Sequence, residues 1–426
     1  MIALHVAGIV AEYNPFHTGH AYQIAQTKAA FPGDCAVVAV MSGNWVQQTH
    51  CAVADKWRRA QIALMGGVDL VLELPTVWAT ASAESFAWGA VSLLHGTGVV
   101  DVLSFGSEYG EVGPLEQVAA CLDRPDCQER LHTLIGQGMS MASARESAVR
   151  EQIGWEGKLL ATPNNNLGIE YIRALRRLDS PITPMTVRRE GAGHNVLLAP
   201  QEMTQPNSTG SKARSFVSAT QLRECLSQGL WSQAEPYFVP GERGILEQGG
   251  ELPSLVQIER AMLARVRTMS QTDWAGLPDS GGEEGLTQRL ERAGRQCVSM
   301  EDFYQQVKTK RYTHARIRRL ALWAYLGIRA QDIPAQPPYL RALAFNSRGR
   351  ELLRAMKERA QLPIVTKPAH AQKLEQAGQA LFSLESRCTD LYDLCFPSVV
   401  KPGREWTTGP VIMVVERKDA METTGG

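Results

Sequence analysis

The chain has 426 residues, of which 44 are lysine or arginine and 44 are aspartate or glutamate, so its formal net charge is zero. This length is enough for two or three domains, each with a substantial core. A neutral chain is not expected to coat nucleic acid nonspecifically, so any binding to RNA must be confined to a local basic patch.

The eight cysteines include no CxxC pair and do not have the spacing of a small disulfide framework. We therefore expect reduced thiols, as in a cytoplasmic protein. The N-terminus lacks a basic segment before an apolar run, and no stretch approaches the roughly 20 apolar residues that a membrane helix needs. The sequence predicts a cytoplasmic protein without a membrane partner.

The most informative segment runs from Gly8 to Tyr22, where a predicted strand is followed by a helix. Leu4 to Ala11 is apolar and β-branched without helical spacing, which is typical of a strand buried in a parallel sheet. Asn14-Pro15 ends that strand, and helical spacing resumes at Ala21. The sequence His17-Thr18-Gly19-His20 is therefore predicted at a helix start, where free N–H groups and the helix dipole attract anions.

Two histidines three residues apart at a helix start lie on one face, where they can donate to a phosphoryl group as its negative charge grows. We predict that His17 and His20 are catalytic and that Gly19 lets a phosphate approach the backbone. Two alternatives remain open: the histidines are caps or half-buried core residues, or they bind zinc. Zinc is disfavoured because no cysteine pair or further histidine lies at ligand spacing, and we expect no metal site.

The succession of buried strand and helix repeats further along the chain. Strands are predicted at Cys35 to Met41, Val68 to Leu74 and Val99 to Phe105, with helices at Ala52 to Met65 and Ala79 to Leu94. This alternation predicts a doubly wound parallel sheet of the α/β class. Ligands of such sheets bind beyond the carboxyl ends of the strands. GxGxxG and GxxxxGK[ST] are absent, which counts against dinucleotide oxidoreductases and P-loop enzymes.

Three further segments carry polar side chains suited to anions. Asn164 and Asn165 open a predicted helix that ends near Leu178, where they either cap the helix or bind a ligand. Arg188 and Arg189 end a predicted strand, where they either clamp phosphate or lie in solvent. Ser218 is a predicted N-cap, with Thr220 and Arg223 in the first turn. The polar segment Gln201 to Arg214 before it is predicted to be a mobile loop.

A glycine-rich boundary divides the chain. We predict a catalytic domain over 1–240, a linker at 241–253 and a mainly helical domain over 254–426. Within the last part, Tyr339 to Phe345, Asn346 to Lys357 and Pro363 to Thr366 predict a small strand–helix–strand unit.

The densest basic run lies between Lys308 and Arg319 and contains six basic residues and one aromatic residue. This composition favours contact with RNA phosphates and stacking on a base. The alternative is a solvated helix start. The residues predicted to contact RNA are Lys308, Lys310, Arg311, Tyr312, Arg316, Arg318 and Arg319.

Nine segments spread over nearly the whole chain resemble the bacterial tRNA(Met) cytidine acetate ligase family. That family belongs to the nucleotidyltransferase superfamily with HxGH motifs, which includes class I aminoacyl-tRNA synthetases. In chain order the segments are GIVAEYNPFHTGH, VMSGNWVQ, ADKWRRAQIAL, GVDLVLELP, SFGSE, PNNNLGIEY, SATQLR, KTKRYTHARIRR and LAFNSRGRELL. The resemblance implies a Rossmann-like, HIGH-type catalytic domain and a helical tRNA-binding domain.

The resemblance also implies a reaction. The enzyme would activate acetate with ATP to acetyl-AMP, release pyrophosphate, and acetylate N4 of wobble cytidine 34 of elongator tRNA(Met), with release of AMP. Mg²⁺ would be carried on the triphosphate without a protein cage. The implied partners are elongator tRNA(Met) and acetate, with no DNA. The expected ATP site comprises Val10, Ala11, Glu12, Tyr13, Asn14, Pro15, Phe16, His17, Thr18, Gly19, His20, Ala21, Tyr22, Gln23, Gly106, Asn164, Asn165, Arg188, Arg189, Ser218, Thr220 and Arg223.

Two segments depart from the family pattern. After Gln47 the family usually continues Arg-Gly-Glu-Pro, whereas this chain has Gln48-Thr49-His50-Cys51. The missing arginine predicts weaker phosphate or tRNA contact, or compensation by Lys56 or Arg59. Likewise, Ala192-Gly193-His194-Asn195 replaces a more usual Tyr-His-Asp ending.

Two other functions remain open. The first is an adenylyltransferase of the same superfamily that acts on a small molecule. The additional C-terminal half with its basic run disfavours this function, because a small-molecule enzyme would not need it. The second is a nucleotide- or RNA-binding protein without turnover, which the intact histidines and Arg223 disfavour.

Overall fold

The computed structural model describes residues 5–189, 217–281, 285–309 and 311–414. The loop predicted at Gln201 to Arg214 and the departure at Ala192 to Asn195 lie outside these ranges. The strands are β1 His5–Ala11, β2 Cys35–Ser42, β3 Leu70–Leu74, β4 Val102–Ser107, β5 Thr183–Arg188, β6 Leu340–Phe345, β7 Ile364–Val365 and β8 Val411–Ile412.

The helices alternate with the strands in the first half of the chain and dominate the second. Up to β5 they are α1 Thr18–Ala29, α2 Lys56–Met65, α3 Thr76–Ala79, α4 Ala83–Gly96, α5 Val112–Leu122, α6 Pro125–Gly136, α7 Met141–Ile153 and α8 Pro163–Arg177. After β5 they are α9 Ala219–Ser227, α10 Trp231–Ala234, α11 Glu242–Glu247, α12 Leu255–Thr268, α13 Gln271–Ala275, α14 Leu286–Gln296, α15 Met300–Val307, α16 His314–Leu326, α17 Ser347–Arg359, α18 Gln376–Tyr392 and α19 Arg404–Thr407.

The described strands form one sheet with the order β5-β4-β1-β2-β3-β6-β7, and β8 pairs with β6. The five strands from β5 to β3 in this order are parallel. From β1 the chain proceeds outward through β2 and β3, then returns to the other side of β1 as β4 and β5. This is the predicted doubly wound arrangement, and its switch point lies between β1 and β4, where such sheets bind ligands.

Alternate residues of β2 enter the two hydrophobic layers that cover the sheet. Ala36, Val38 and Val40 belong to one core, whereas Val37, Ala39 and Met41 belong to the other. The strand is fully buried because helices lie on both faces, which explains its uninterrupted apolar sequence.

The C-terminal part is not separate from this sheet. The predicted strand–helix–strand unit is confirmed as β6, α17 and β7. However, β6 also pairs antiparallel with β3, with Leu70 opposite Phe345. The C-terminal part therefore extends the sheet of the N-terminal part as well as supplying helices.

The segment 241–253 was expected to be a linker, but the structure shows it packed on the sheet layer. It contains α11, which contacts α2, and Ile245 and Leu246 of that helix are buried in a hydrophobic core. The glycine-rich composition reflects tight turns here: Gly241 and Gly250 have positive φ angles of 85° and 74°. The domain boundary itself remains a prediction.

In the described ranges, no helix combines the length and the apolar character needed to cross a membrane.

Candidate active site

The start of α1 lies at the carboxyl end of β1, and its two histidines organise the first turn. His17 is the N-cap residue, and its Nδ1 accepts a hydrogen bond from the Gly19 N–H at 3.1 Å. His20 reaches back, so that its Nδ1 accepts from the His17 N–H at 3.2 Å. This capping box satisfies two donors that a helix start otherwise leaves open. The predicted placement of the HxGH sequence at a helix start is confirmed.

Capping uses only one nitrogen of each imidazole ring. An Nδ1 that accepts a hydrogen bond carries no proton, so the neutral ring holds its proton on Nε2. The two rings are stacked, with centroids 3.8 Å apart and an interplanar angle of 25°. His17 and His20 are therefore caps, as the first alternative held, and still present two neighbouring Nε2–H donors.

Burial keeps both rings neutral. Loss of solvation, assisted by the nearby Arg189, lowers the pKa of His17 from 6.5 to about 3. Loss of solvation also lowers the pKa of His20 well below its ordinary value, and both His17 and Arg189 act in the same direction. At neutral pH the pair thus offers donors without imidazolium charge, which suits a group whose negative charge grows during reaction.

The low pKa of His17 predicts acid-sensitive folding. Unfolded histidine titrates near 6.5, whereas folded His17 titrates near 3. Between these values the unfolded chain binds a proton that the folded chain does not, so stability falls as the pH falls through this range. For His17 alone, going from about pH 7 to pH 5 should cost about 2 kcal/mol of unfolding free energy.

Urea titrations at several pH values measure this loss. The matched variant is His17→Asn, because asparagine keeps a capping oxygen and does not titrate. Its stability should fall less than that of the unchanged protein over the same pH range. An equal fall in both proteins would contradict the burial of a neutral His17.

Two buried aromatic rings pack against the His20 ring. Tyr13 and Phe16 are buried, and their ring centroids lie 5.0 and 5.4 Å from that of His20. Phe16 in turn packs on Gly66, which ends α2: a Cβ at Gly66 would lie 2.2 Å from Phe16 Cζ. The close approach of two helix ends therefore requires glycine at this position.

We expect Gly66→Ala to destabilise the protein by about 1–3 kcal/mol, as overpacked core positions do. Because the φ of −77° at Gly66 suits alanine, the destabilisation would come from the clash with the Phe16 ring and not from the backbone. Displacement of Phe16 should also lower activity, because its ring contacts His20. Gly113→Ala is the control: nothing lies within 4 Å of its Cβ position in α5, and it should not destabilise. Chemical denaturation would refute the proposed packing if both variants were equally stable.

Arg223 joins the start of α9 to the loop after β1. Its Nη1 donates to the Asn14 carbonyl at 2.8 Å, and its Nη2 donates to Thr220 Oγ1 at 3.0 Å. Ser218 forms a capping box with Gln221, so its hydroxyl serves the helix start. The structure thus brings the predicted α9 start to the His17 and His20 site.

Glu12 and Asn14 hold the adjoining loop after β2. Glu12 Oε1 accepts from the Gln47 N–H at 2.7 Å, and Asn14 Oδ1 accepts from the Val53 N–H at 2.8 Å. Burial raises the pKa of Glu12, although Gln47, Arg223 and Arg59 oppose the shift. Glu12 and Asn14 are therefore committed to positioning this loop.

Glu108 occupies the N-terminal end of α8. Its carboxylate accepts from the N–H groups of Asn164 and Asn165 at 3.2 and 2.8 Å, and from Asn164 Nδ2 at 2.6 Å. Burial would raise the pKa of Glu108, but these hydrogen bonds lower it below its ordinary value. Asn165 is buried and accepts from the Tyr109 N–H at 3.1 Å. Of the two alternatives, the structure favours a structural role for Asn165.

Arg189 reaches the site across Gly106. Its Nη1 donates to Asn164 Oδ1 at 3.3 Å, and a Cβ at Gly106 would lie 3.3 Å from Arg189 Cγ. It is close enough to lower the pKa of both histidines. Arg188 and Arg189 are both exposed, but Arg188 packs beside Gly110 instead. The structure therefore favours Arg189 over Arg188 as the arginine of the site.

The remaining predicted residues lie along β1 and α1. Val10 and Ala11 end the strand, and Pro15, Thr18, Ala21 and Tyr22 surround the histidines along the chain. Gln23 donates to the Ser104 carbonyl of β4 at 3.4 Å, so it links helix and sheet.

Neither Lys56 nor Arg59 compensates for the missing arginine. Lys56 is buried between Glu73 and Glu405, with N···O distances of 2.5 and 2.7 Å. Arg59 is buried and donates to main-chain carbonyls, including those of Glu12 at 2.5 Å and Ser42 at 2.9 Å. Both cations are used inside the fold, so this part of the expectation is corrected.

The basic run is only partly available to RNA. Tyr312 is buried in the core and is not placed to stack on a base. Arg316 Nη2 donates to the main-chain carbonyl of Asp279 at 2.8 Å. Arg319 pairs with the carboxylate of the same residue. Lys308 and Arg311 are exposed, Arg318 is half-buried, and Lys310 lies outside the described residues.

No group of three or more His, Cys, Asp or Glu residues that could hold a metal ion occurs in the part of the chain that the structure describes. Sequence reasoning missed the roles of Glu108 and Gly66. The signal for Glu108 was present, because a carboxylate directly after a parallel strand lies at the binding edge of the sheet.

Comparisons with known proteins identify the family of this chain. The sequence matches the HIGH nucleotidyl transferase family over residues 4–405. It is 35% identical over 408 residues to a Caldanaerobacter subterraneus protein named tRNA(Met) cytidine acetate ligase, which covers 92% of this chain and 96% of that protein. An Acetivibrio thermocellus protein of the same name is 33% identical, over 96% of this chain and 100% of that protein.

Solved structures show the same fold. The crystal structure of Thermotoga maritima TmcAL bound with alpha-thio ATP has a TM-score of 0.85 and 32% identity, over 96% of this chain and 100% of that chain. The apo form of the same protein gives a TM-score of 0.86 and 33% identity, with equal coverage. The chain therefore belongs to the tRNA(Met) cytidine acetate ligase family of HIGH nucleotidyl transferases.

Proposed function

We propose that this chain is an ATP-dependent ligase that converts acetate to acetyl-AMP and then acetylates N4 of cytidine 34 of elongator tRNA(Met). The observation that carries the proposal is the stacked neutral pair His17 and His20, with both Nε2–H donors available at the switch point of the sheet. The names of the relatives and the ATP analogue bound to TmcAL support the same activity.

In the first step an acetate oxygen attacks the α-phosphorus of ATP, and pyrophosphate leaves. Negative charge grows on the phosphate oxygens, and the Nε2–H groups of His17 and His20 donate to them. Arg189, which acts on both histidines, and Arg223, which binds the Asn14 carbonyl, add positive charge to the site. The residues align the reactants and stabilise charge, so no nucleophile from the protein is needed.

In the second step the N4 amine of cytidine attacks the acetyl carbonyl, AMP leaves, and the nitrogen loses a proton. The amine is a weak nucleophile, and the mixed anhydride supplies the driving force. The products are N4-acetylcytidine and AMP. The exposed Lys308 and Arg311, with Arg318, would bind the RNA backbone.

Mg²⁺ would be bound through the triphosphate oxygens. The carboxylates near the site fit this arrangement, because both are already hydrogen-bonded within the protein. Glu12 accepts from the Gln47 N–H, and Glu108 accepts from the N–H groups at the start of α8. When bound, the ion would neutralise charge on the phosphates.

The test is pyrophosphate release from ATP with acetate, with and without elongator tRNA(Met), followed by mass analysis of the wobble nucleoside. We expect acetate-dependent pyrophosphate release, and acetylated cytidine when tRNA is present. Both should be lost in His20→Ala. Turnover that needs no acetate would favour a small-molecule adenylyltransferase, and binding of ATP without turnover would favour a non-catalytic protein.

A further inference from the structure

Two aromatic rings meet at the surface beyond β4, and the reaction described above gives them no role. Tyr109 lies in the turn that follows β4 and is half-buried. Trp155 opens the 3₁₀ helix Trp155–Ala161 after α7, and 49% of its surface is exposed. The two ring centroids lie 5.6 Å apart, with an interplanar angle of 43°. A tryptophan that is half in water leaves much of its ring open to contact with another planar group.

The turn that carries Tyr109 is fixed to the nucleotide site. The Tyr109 N–H donates to Asn165 Oδ1 at 3.1 Å, and the Gly110 N–H donates to Ser107 Oγ at 2.9 Å. Gly110 has a positive φ of 87°, as this tight turn requires. Glu108, directly before Tyr109, accepts from the N–H groups at the start of α8. The position of Tyr109 is therefore set by residues at the carboxyl edge of β4.

An arginine without a partner lies beside these rings. Arg188 ends β5, opposite Ser107 of β4. Its side chain packs on Gly110, where an added Cβ would lie 2.8 Å from Arg188 Cβ and 3.1 Å from Arg188 Cδ. Within the described ranges the Arg188 guanidinium forms no hydrogen bond or ion pair, and the residue is exposed. Its positive charge is therefore available to a ligand next to Tyr109.

In the order of the sheet, the rings and the basic helix α16 flank the histidine pair. The helix α16 packs on the segments after β2 and β3: Tyr325 contacts Trp45 with centroids 6.2 Å apart, and Trp323 Nε1 donates to Thr80 Oγ1 at 2.8 Å. In the order β4-β1-β2-β3 those segments lie on one side of β1, and Tyr109 lies on the other. An RNA strand that contacts α16 and presents a base at the end of β1 would therefore continue towards the rings.

The combination of rings and arginine fits a nucleotide of single-stranded RNA. Unpaired bases of RNA loops stack on aromatic side chains, and arginine binds the phosphate that each nucleotide carries. The cytidine of the proposed reaction lies in the anticodon loop, so its neighbours are unpaired. The adenine of ATP would also stack on such rings, but the phosphates of ATP are needed at His17 and His20 and leave none for Arg188.

We propose that Tyr109 and Trp155 form a stacking platform for the base next to cytidine 34, while Arg188 binds a phosphate of the same strand. This inference rests on the proposed function and names how its RNA substrate is held. Trp155 is a positioning residue: it holds the loop so that the neighbouring cytidine enters the nucleotide site, and it does not touch the reacting atoms.

The test uses the full-length protein and elongator tRNA(Met), either unchanged or with an abasic nucleotide on one or the other side of cytidine 34. Trp155→Leu keeps an apolar side chain and removes the ring. It should raise KM for unchanged tRNA about tenfold with little change in kcat, whereas Trp155→Phe should stay within about threefold. Acetate-dependent ATP–pyrophosphate exchange without RNA should stay within about twofold in both variants, which also shows that they fold.

One of the two abasic tRNAs should have a KM about tenfold higher with the unchanged protein, and on that tRNA Trp155→Leu should cause no further rise. The two effects do not add because each removes one side of the same contact. Arg188→Gln should weaken the salt dependence of tRNA binding by about one phosphate contact.

Met141→Ala is the control for a change of exposed apolar surface. Met141 is 58% exposed at the opposite end of α7, about 20 Å from Trp155 along the helix. Its KM for tRNA should not change.

Failure of the platform and failure of the proposed function give different results. If the unchanged protein acetylates no tRNA, the proposed function fails, and the platform fails with it. If it acetylates tRNA, the platform alone is overturned when Trp155→Leu leaves KM unchanged, or when it raises KM equally on all three tRNAs. A higher KM for ATP in the exchange reaction of Trp155→Leu would also overturn the platform and assign the rings to adenine.

Discussion

Replacing His20 with asparagine should reduce acetate-dependent ATP–pyrophosphate exchange by about 10²–10³-fold without unfolding the protein. His20 Nδ1 accepts the His17 N–H, and asparagine offers an oxygen in the corresponding position. What asparagine lacks is the second nitrogen on the far side of the ring. The variant therefore separates the capping role of His20 from its role as donor to phosphate.

His20→Gln is the matched variant. Glutamine at this third position of the helix can accept the His17 N–H with its Oε1, as Gln221 does for Ser218, and it also carries an amide N–H donor. It should retain more activity than asparagine and keep the stability of the unchanged protein. Exchange kinetics and urea denaturation of the two variants measure both effects. An asparagine variant as active as the unchanged protein would show that Nε2–H has no part in the reaction.

Glu405→Gln should destabilise the protein by about 3–5 kcal/mol, because it leaves a buried positive charge uncompensated. Glu405 is fully buried in α19 and lies 2.7 Å from Lys56 Nζ. It also pairs with Arg341 and accepts from Thr389 Oγ1 at 2.7 Å. Burial alone would raise its pKa, but Arg341 and Lys56 hold it at about 2.

The charges of this cluster balance only when Glu405 is ionised. Lys56 and Arg341 are opposed by Glu73 and Glu405. A fifth group, Glu385, has its pKa raised to about 8 by burial and by Glu73, so it is largely neutral at pH 7. Glutamine at position 405 keeps the volume and removes one negative charge, so the cluster would carry a net positive charge inside the protein.

Glu151→Ala provides the comparison for an exposed ion pair. Glu151 pairs with Arg130 at 2.6 Å on the surface, where water and salt screen the charges and such pairs contribute little to stability. Urea denaturation of both variants at neutral pH should therefore give a small change for Glu151→Ala and a large one for Glu405→Gln. Equal small changes would mean that water reaches the Lys56 cluster.

Much of the local structure was predictable because it depends on neighbouring residues. The buried strands β1 to β4 follow from mostly apolar runs between turn signals. The starts of α1, α8 and α9 follow from capping residues, and the parallel order then places them at one edge of the sheet. The resemblance to the family then added Arg223 and the pair Arg188 and Arg189 to the expected site of His17 and His20.

Other features depended on contacts between distant parts of the chain. The basic run predicted seven RNA contacts, but Asp279 binds Arg316 and Arg319, and the core encloses Tyr312. Asn165 was expected either to cap a helix or to bind a ligand, and the structure shows that its Oδ1 accepts from the Tyr109 N–H. A sequence shows which side chains are charged or polar. It does not show whether the partner of such a side chain is a phosphate or a residue of another element.

The sequence by itself determined the element types, the parallel sheet, the position of the histidine pair and the family. Only the tertiary structure decided that β6 extends the sheet beside β3 and that Lys56 serves a buried cluster. The physical reason is distance along the chain. Strand periodicity and helix capping act over a few residues, whereas sheet pairing and ion pairing join residues hundreds of positions apart.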